Sequence, residues 1–167
     1  SKSLRAGTYK FQKTRGVLIP KANKKEFRPL RIPDVRDRLV AKAASIVLDE
    51  ILTPKYNLDN PCSFAYRKDR GVHTAIGKMI EHYRAGKIFI LEADIEKFFD
   101  NVNRESLLRE LSTELPDKSL DVLLHTALIQ EIGNLEDHPD TAHYFEDSND
   151  GIPQGNCLSP LLANVYL

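Results

Sequence analysis

No apolar run in this 167-residue chain approaches the roughly 20 residues that a membrane-spanning helix needs. The longest, Ile88–Leu91, is the size of a strand. Nor does Ser1–Lys25 have the apolar centre of a secretory leader, being largely basic and polar, so a cytoplasmic protein without a membrane partner is expected. Only two cysteines occur, Cys62 and Cys157, far apart and without metal-ligand spacing, and reduced thiols are expected of both. His73, His82, His125, His138 and His143 show no ligand spacing either. The chain has no Gly-x-Ser-x-Gly elbow and no Walker-type loop, which leaves hydrolase and P-loop readings without support. It has no internal repeat and no low-complexity tract.

What is present is enough apolar residue, 41%, to bury a core, beside 29% charged residue, so a wholly disordered chain is unexpected. The length suits one compact domain or two interlocked subdomains. A net charge of zero hides an asymmetry: residues 1–40 carry +9 and residues 41–167 carry −9. Such a split fits a phosphate-facing element joined to an acidic body, although a solvated basic arm has the same composition.

Arg15–Lys21 and Arg28–Pro33 read as two short strands joined by the polar loop Ala22–Phe27, a hairpin with a lysine-rich tip. Asp34 can cap a helix over Val35–Leu52, where Leu39, Ala43, Ile46, Val47 and Ile51 recur at helical spacing and Pro54 lies just past the end. After the turn-rich Thr53–Tyr66, a helix fits Gly71–Arg84, with Val72, Ile76, Met79 and Ile80 on one face and Gly86 as a stop. Lys87–Ile95 has the composition of a strand buried on both faces. Asn103 caps a helix over Arg104–Leu115. Asp117 is placed to begin another, through about Ile132, with Leu120, Leu123, Leu124 and Leu128 inward. Gly133–Asp150 reads as an acidic loop or short hairpin, Gly151–Gly155 as a turn, and Ser159–Leu167 as a helix with a Ser cap and Pro160 at its first position.

Four stretches can carry chemistry. Leu91–Asp100 delivers Asp94 to the end of an apolar strand, with Glu92 and Glu96 on the same face if the pleat is regular. Phosphoryl transfer from a nucleoside triphosphate uses carboxylates in this way, because Mg²⁺ prefers a few of them plus phosphate oxygens. Two such ions about 4 Å apart stabilise the attacking and leaving oxygens. A strand ending in a solvated acidic turn is the plainer reading. Asn149–Pro160 is a turn between two glycines ahead of a helix, able to offer backbone amides and the Gln154 amide to a sugar, base edge or anion. The hairpin cations Lys21, Lys24, Lys25, Arg28 and Arg31 can clamp a triphosphate or a template backbone, or merely solubilise a loop tip. Phe64–Gly71 interleaves aromatics with cations, Tyr66, Arg67 and Arg70 among them, as single-stranded nucleic-acid sites do. Phe64 also suits an ordinary core.

Taken in order, these stretches resemble the sequence blocks of reverse transcriptases of the bacterial group II intron type. RPLRIPDVRDRLV at 28–40 resembles the first block and NPCSFAYRKDRGVHTAI at 60–76 the second, usually F-G-F-R-x-x-R-S. LEADIEKFFDNV at 91–102 is similar to motif A, D-I-x-x-F-F-D, and GIPQGNCLSPLLANVYL at 151–167 to motif B, G-x-P-Q-G-x-x-x-S-P-L-L-x-N-x-Y-L. The resemblance runs from about residue 18 to 167, and motif B is its most specific part. Asp69-Arg70-Gly71 departs from the more usual Gly-Arg-Ser.

The resemblance implies an α+β fold, the fingers of a right-hand polymerase (1–86 and 105–155) with part of the palm (87–104 and 156–167). It makes Asp94 the motif A metal carboxylate, with the Ile95 carbonyl as a further ligand for Mg²⁺, two ions in the intact enzyme. Lys97 and Phe98 would present backbone amides to the triphosphate, and Phe99 would be an aromatic gate against the ribose 2′-OH. Arg28 and Lys21 would be cations on the incoming dNTP, and Gln154 and Gly155 would contact the nucleotide. Lys24, Lys25, Arg31, Tyr66, Arg67 and Arg70 would face an RNA template and its DNA or RNA primer. Asp100 is expected to be structural. The family's Tyr-x-Asp-Asp motif is absent, and no Asp-Asp pair occurs anywhere. The chain therefore reads as cut off before that motif and inactive by itself, with an incomplete palm through which copies could self-associate. An RNA-binding maturase or defence module without polymerisation, and an RNA-dependent RNA polymerase, are the alternatives. Bulky Phe99 argues against the last.

Overall fold

The computed structural model describes residues 2–22, 26–146 and 150–167. Element order is α1 (Lys2–Arg5), β1 (Arg15–Pro20), β2 (Phe27–Ile32), α2 (Val35–Tyr56), α3 (Val72–Arg84), α4 (Arg104–Glu114), α5 (Asp121–Leu128) and α6 (Ser159–Tyr166). Helices and a two-stranded antiparallel ribbon thus make a mixed α and β chain. Among the described residues no helix is long and apolar enough to cross a membrane.

The ribbon pairs Arg15 with Ile32 through Pro20 with Phe27, in agreement with the hairpin expected from sequence. Its outer strand is held by the segment after α5: the Thr14 amide donates to the Glu131 carbonyl at 2.8 Å and the Gly133 amide returns to the Thr14 carbonyl at 2.8 Å. Gly16 has no room for a side chain, since a Cβ there would stand 2.9 Å from the Phe145 ring. That close approach lets the Asn134 side chain accept from the Gly16 amide at 2.7 Å. In the acidic stretch after Gly133, Leu135–Asp137 and Ala142–Phe145 form two short 3₁₀ turns packed on the ribbon, and among the described residues it pairs into no hairpin.

One core joins four helices: Ala41, Leu48 and Leu52 of α2, Leu107 and Leu111 of α4, Leu124 and Leu128 of α5, and Leu161 and Leu162 of α6. Each buried leucine contributes about 1.5–3 kcal/mol relative to exposure. Asp34 caps α2 as expected, its carboxylate accepting from the Val35 amide at 2.6 Å, and Asn103 caps α4 by accepting from the Ser106 amide. The inward face of α2 differs from the expected one. Leu39, Ile46 and Val47 are half or more exposed, while Asp37, Ala41, Ala44, Ser45 and Leu48 are buried. Small residues let neighbouring backbones come close, and Asp37 fixes the helix rotation through polar bonds that hydrophobic spacing does not reveal. The helix also runs through Pro54 to Tyr56. A proline in the last turn removes one backbone bond without stopping the helix, which ends at left-handed Asn57.

Four further expectations are corrected. Lys87–Ile95 has no regular secondary structure and forms no strand, and Phe89 and Leu91 are each 94% exposed. A strand is defined by ladder bonds to a neighbour, and none among the described residues lies beside it; Glu92, Asp94 and Glu96 consequently have no pleat to share. The face of α3 bearing Val72, Ile76, Met79 and Ile80 is likewise uncovered. Finally, α5 begins at Asp121 because the Asp117 carboxylate closes a local turn on the Ser119 amide, competing with helix. Ser159 lies inside α6, its hydroxyl donating to the Pro153 carbonyl at 2.6 Å, and Leu158 holds the cap position.

Asp37 ties residues 9–12 to the core. The Tyr9 hydroxyl donates to it at 2.6 Å and the Gln12 amide at 2.7 Å, and the carboxylate is 1% exposed. Burial, then the hydrogen bond to Asp37, pushes the Tyr9 hydroxyl up from 10.0 to about 12. The folded chain holds that proton more tightly, so the associated stability is whole below pH 10 and is lost as pH rises through about 12. Asp37→Ala is expected to cost about 2–3 kcal/mol in urea unfolding, since it strands two donors. It should also return one tyrosine to ordinary titration in an absorbance experiment. A loss below about 0.5 kcal/mol would remove the anchor role.

Candidate nucleotide cleft

A single open cleft of about 1120 Å³ is lined by the ribbon, by the turn after Asp94, and by the turn before α6. The ribbon wall brings Lys21, Arg28 and Arg31. The Arg28 side chain is exposed and makes no ion pair or hydrogen bond among the described residues, so its fork is available to phosphate. Lys21 is paired with Glu26 at 2.8 Å, an exposed bridge that an incoming anion can displace.

The second wall starts at Asp94, whose exposed carboxylate has no hydrogen bond among the described residues. Lys97 takes a left-handed conformation (φ 49°) and heads a 3₁₀ turn over Phe98–Asp100. Its carbonyl accepts from the Asp100 and Asn101 amides. A strained residue at this position holds the turn tightly wound beside the cleft. Phe98 and Phe99 are half-buried and meet edge to face at 6.0 Å, and Phe98 also packs on Tyr166. Their rings root the turn in the core, while both residues line the cleft.

The third wall is the Gly151–Gly155 turn, with φ 93° at the first glycine and 106° at the last. It docks on both other walls through backbone hydrogen bonds. The Gly151 amide donates to the Val102 carbonyl at 2.7 Å and the Ile152 amide to the Phe99 carbonyl at 2.8 Å. On the ribbon side the Arg31 amide donates to the Gln154 carbonyl at 2.7 Å. The Gln154 side chain donates to the Asp100 carboxylate at 3.4 Å, which places Asp100 as its orienting partner. Behind the turn, buried Asn156 donates to the Ala127 carbonyl and accepts from the Leu158 amide, locking the turn to α5 and α6.

Asp94, Lys21, Arg28, Lys97, Phe98, Phe99, Gln154 and Gly155 are therefore together in one cleft, as are Arg31 and Tyr66. Other cations have turned inward. The Arg31 guanidinium donates to the Gln130 and Phe145 carbonyls. Arg67, with a side chain only 7% exposed, pairs with Asp49 and Asp59. Arg70 donates to the carbonyls of Asp59, Asn60 and Ser63. Arg31 and Arg70 organise backbone carbonyls, and Arg67 organises side chains of α2 and the loop that follows it, rather than facing solvent. Arg67 and Arg70 hold the loop that carries Tyr66, left-handed (φ 57°) and 63% exposed, to the cleft edge. Lys24 and Lys25 lie outside the described residues. Residues missed from sequence include Tyr144, which meets Phe27 at 5.7 Å beside the ribbon, and Arg104. A cation in the first turn of a helix opposes the helix dipole, and that misplacement was the available signal for Arg104.

The described residues contain no group of three His, Cys, Asp or Glu close enough to hold a metal. Asp94 lines the cleft and Ile95 does not, so among the described residues the cleft offers the Asp94 carboxylate, of the kind Mg²⁺ prefers, without the cluster of acidic partners that would complete an ion's shell.

The fit of the glycine turn has a testable consequence. A Cβ on Gly155 would stand 2.7 Å from the Arg31 carbonyl oxygen, a backbone atom that cannot swing aside. Gly155→Ala should lower stability by about 1–3 kcal/mol in thermal unfolding. Gly77→Ala, in the interior of α3 with nothing within 4 Å, should instead add about 0.5–1 kcal/mol. Equal effects at the two positions would refute the tight docking.

The family model described as reverse transcriptase (RNA-dependent DNA polymerase) matches residues 19–167. The group II intron-encoded protein LtrA of Lactococcus lactis subsp. cremoris is 35% identical over 99% of this chain, and the match covers 26% of LtrA. The mitochondrial nuclear intron maturase 4 of Arabidopsis thaliana is 28% identical over 83% of this chain and 16% of its own length. A chain of the partial Cas6-RT-Cas1--Cas2 complex superposes with a TM-score of 0.54 at 29% identity, covering 98% of this chain and 26% of that one. The chain thus spans about a quarter of the length of LtrA. On a match through nearly all of its length, it belongs to the reverse transcriptase family.

Proposed function

We propose that these residues form the nucleotide-binding front of an RNA-directed DNA polymerase, fingers and the start of the palm, which copies an RNA template from a DNA or RNA primer. The observation that carries this reading is the meeting of Asp94, Arg28, Phe99 and Gln154 in one cleft from three separate stretches of chain. The cation of the ribbon suits a triphosphate. The Lys97 and Phe98 amides, which donate to no described acceptor, can receive its oxygens. Phe99, rooted in the core, supplies a rigid surface against a 2′-OH, and Gln154, oriented by Asp100, can contact sugar or base. Mg²⁺ bound through Asp94 and the Ile95 carbonyl would neutralise developing phosphate charge in the intact enzyme.

The maturase relative favours a second reading, in which the basic N-terminal part grips RNA without polymerisation. Primer extension separates the two. With an RNA template, dNTPs and Mg²⁺, a full-length protein containing this chain should extend a primer, and residues 1–167 alone should not. Asp94→Asn should lower kcat by at least about a hundredfold, and Phe99→Ala should raise ribonucleotide use about tenfold or more. Extension by residues 1–167, or an unaffected Asp94→Asn enzyme, would overturn the assignment.

The uncovered segment Ile88–Leu91 and the bare face of α3 support self-association of residues 1–167. Light scattering should detect species above the monomer mass, and a strictly monomeric solution at high concentration would contradict this.

A further inference from the structure

We propose that Arg104 is a positioning residue for nucleotide selection, fixing the spacing between Phe99 and Gln154; the proposal rests on the polymerase reading above. Arg104 is the first residue of α4 and is 8% exposed. Its position next to the positive end of the helix is unfavourable for a cation. The compensation lies across the cleft floor: Nε donates to the Gly151 carbonyl at 3.0 Å and Nη2 to the Asp150 carbonyl at 3.2 Å. The planar fork is what allows one side chain to hold two successive carbonyls. The neighbouring Asn103 side chain adds a bond to the Asp150 carboxylate at 3.1 Å.

Those carbonyls belong to the strand of backbone whose amides, Gly151 and Ile152, donate to Val102 and Phe99. Arg104 therefore closes a ring that runs from Phe99 through Val102 to its own Cα, across to Gly151 and Ile152, and back to Phe99. Within that ring the Gly151 backbone has no slack, because a Cβ would already stand 3.1 Å from the Phe99 and Asp100 carbonyl oxygens. Phe99 sits at one end of the ring and Gln154 two residues beyond the other, both lining the cleft with Arg104 itself. The core contact of α4 comes from Leu107 and Leu111, so the guanidinium is not needed to bury that helix. Loosening the clamp should let the glutamine turn drift from Phe99 and so widen the gap that, on the polymerase reading, discriminates between sugars.

Two measurements test this. In residues 1–167, hydrogen exchange followed by NMR should show protection of the Gly151 and Ile152 amides falling at least about tenfold in Arg104→Gln, with Arg104→Lys intermediate. In the full-length protein, the ratio of kcat/KM for dATP to that for ATP, in primer extension on an RNA template, should fall about tenfold in Arg104→Gln. That fall should arise from a higher KM for dATP with kcat little changed, and Arg104→Lys should restore part of it. Unaltered amide protection, or unaltered sugar discrimination beside a mere drop in thermal stability, would overturn the proposal. If the wild-type full-length protein extends no primer although protection falls as expected, the polymerase reading fails, and the selectivity role with it, while the clamp itself stands.

Discussion

Three backbone hydrogen bonds from the glycine turn hold the cleft together: Ile152 to Phe99, Gly151 to Val102, and Arg31 to Gln154. Each joins stretches of chain that are far apart in sequence, and together they set the ribbon, the aromatic turn and the glutamine turn in a fixed relation. Bonds this short between backbones exclude side chains from the gap. The two glycines meet that condition at positive φ, where an L side chain would be strained. Because the partners are main-chain atoms, the arrangement constrains position much more tightly than contacts between flexible side chains do.

Around that junction, charged side chains serve as internal fasteners. Asp37, Arg31, Arg67, Arg70 and Arg104 all bind backbone groups or opposite charges within the protein. Loops such as 57–71 and 150–156 lack a ladder or helix to satisfy their carbonyls, and arginine forks do it instead. Under the proposed function, the consequence is a division of labour among cations. Arg28 and Lys97 are exposed and can meet a substrate, whereas the inward arginines set where the exposed groups stand. The same economy of burial leaves Phe89 and Leu91 in the open, each 94% exposed.

Local rules were sufficient wherever the determining interactions are local. The ribbon, the Asp34 and Asn103 caps and the glycine turn were readable because alternation, cap chemistry and turn composition act within a few residues. The candidate site residues were legible through ordered motifs, since the same chemistry needs the same residue types in the same order. The strand expected at Lys87–Ile95 failed because its composition declares a preference for burial and pairing but cannot supply the partner. The inward face of α2 was misjudged for a related reason: Leu39, Ile46 and Val47 are the more hydrophobic set, yet Asp37 bonded to Tyr9 turns the helix the other way.

By itself the sequence determined the ribbon, most of the helices, their order and the motifs that mark the candidate site, because propensity, capping and motif chemistry are carried by neighbouring residues. Only the tertiary structure decided which cations face the cleft and which hold it together. Arg28 and Arg67 are the same residue type, and the difference between them is the presence of Asp49 and Asp59 within reach of one alone. That is a fact about distance in space, created by a chain that folds back on itself, and no local pattern contains it.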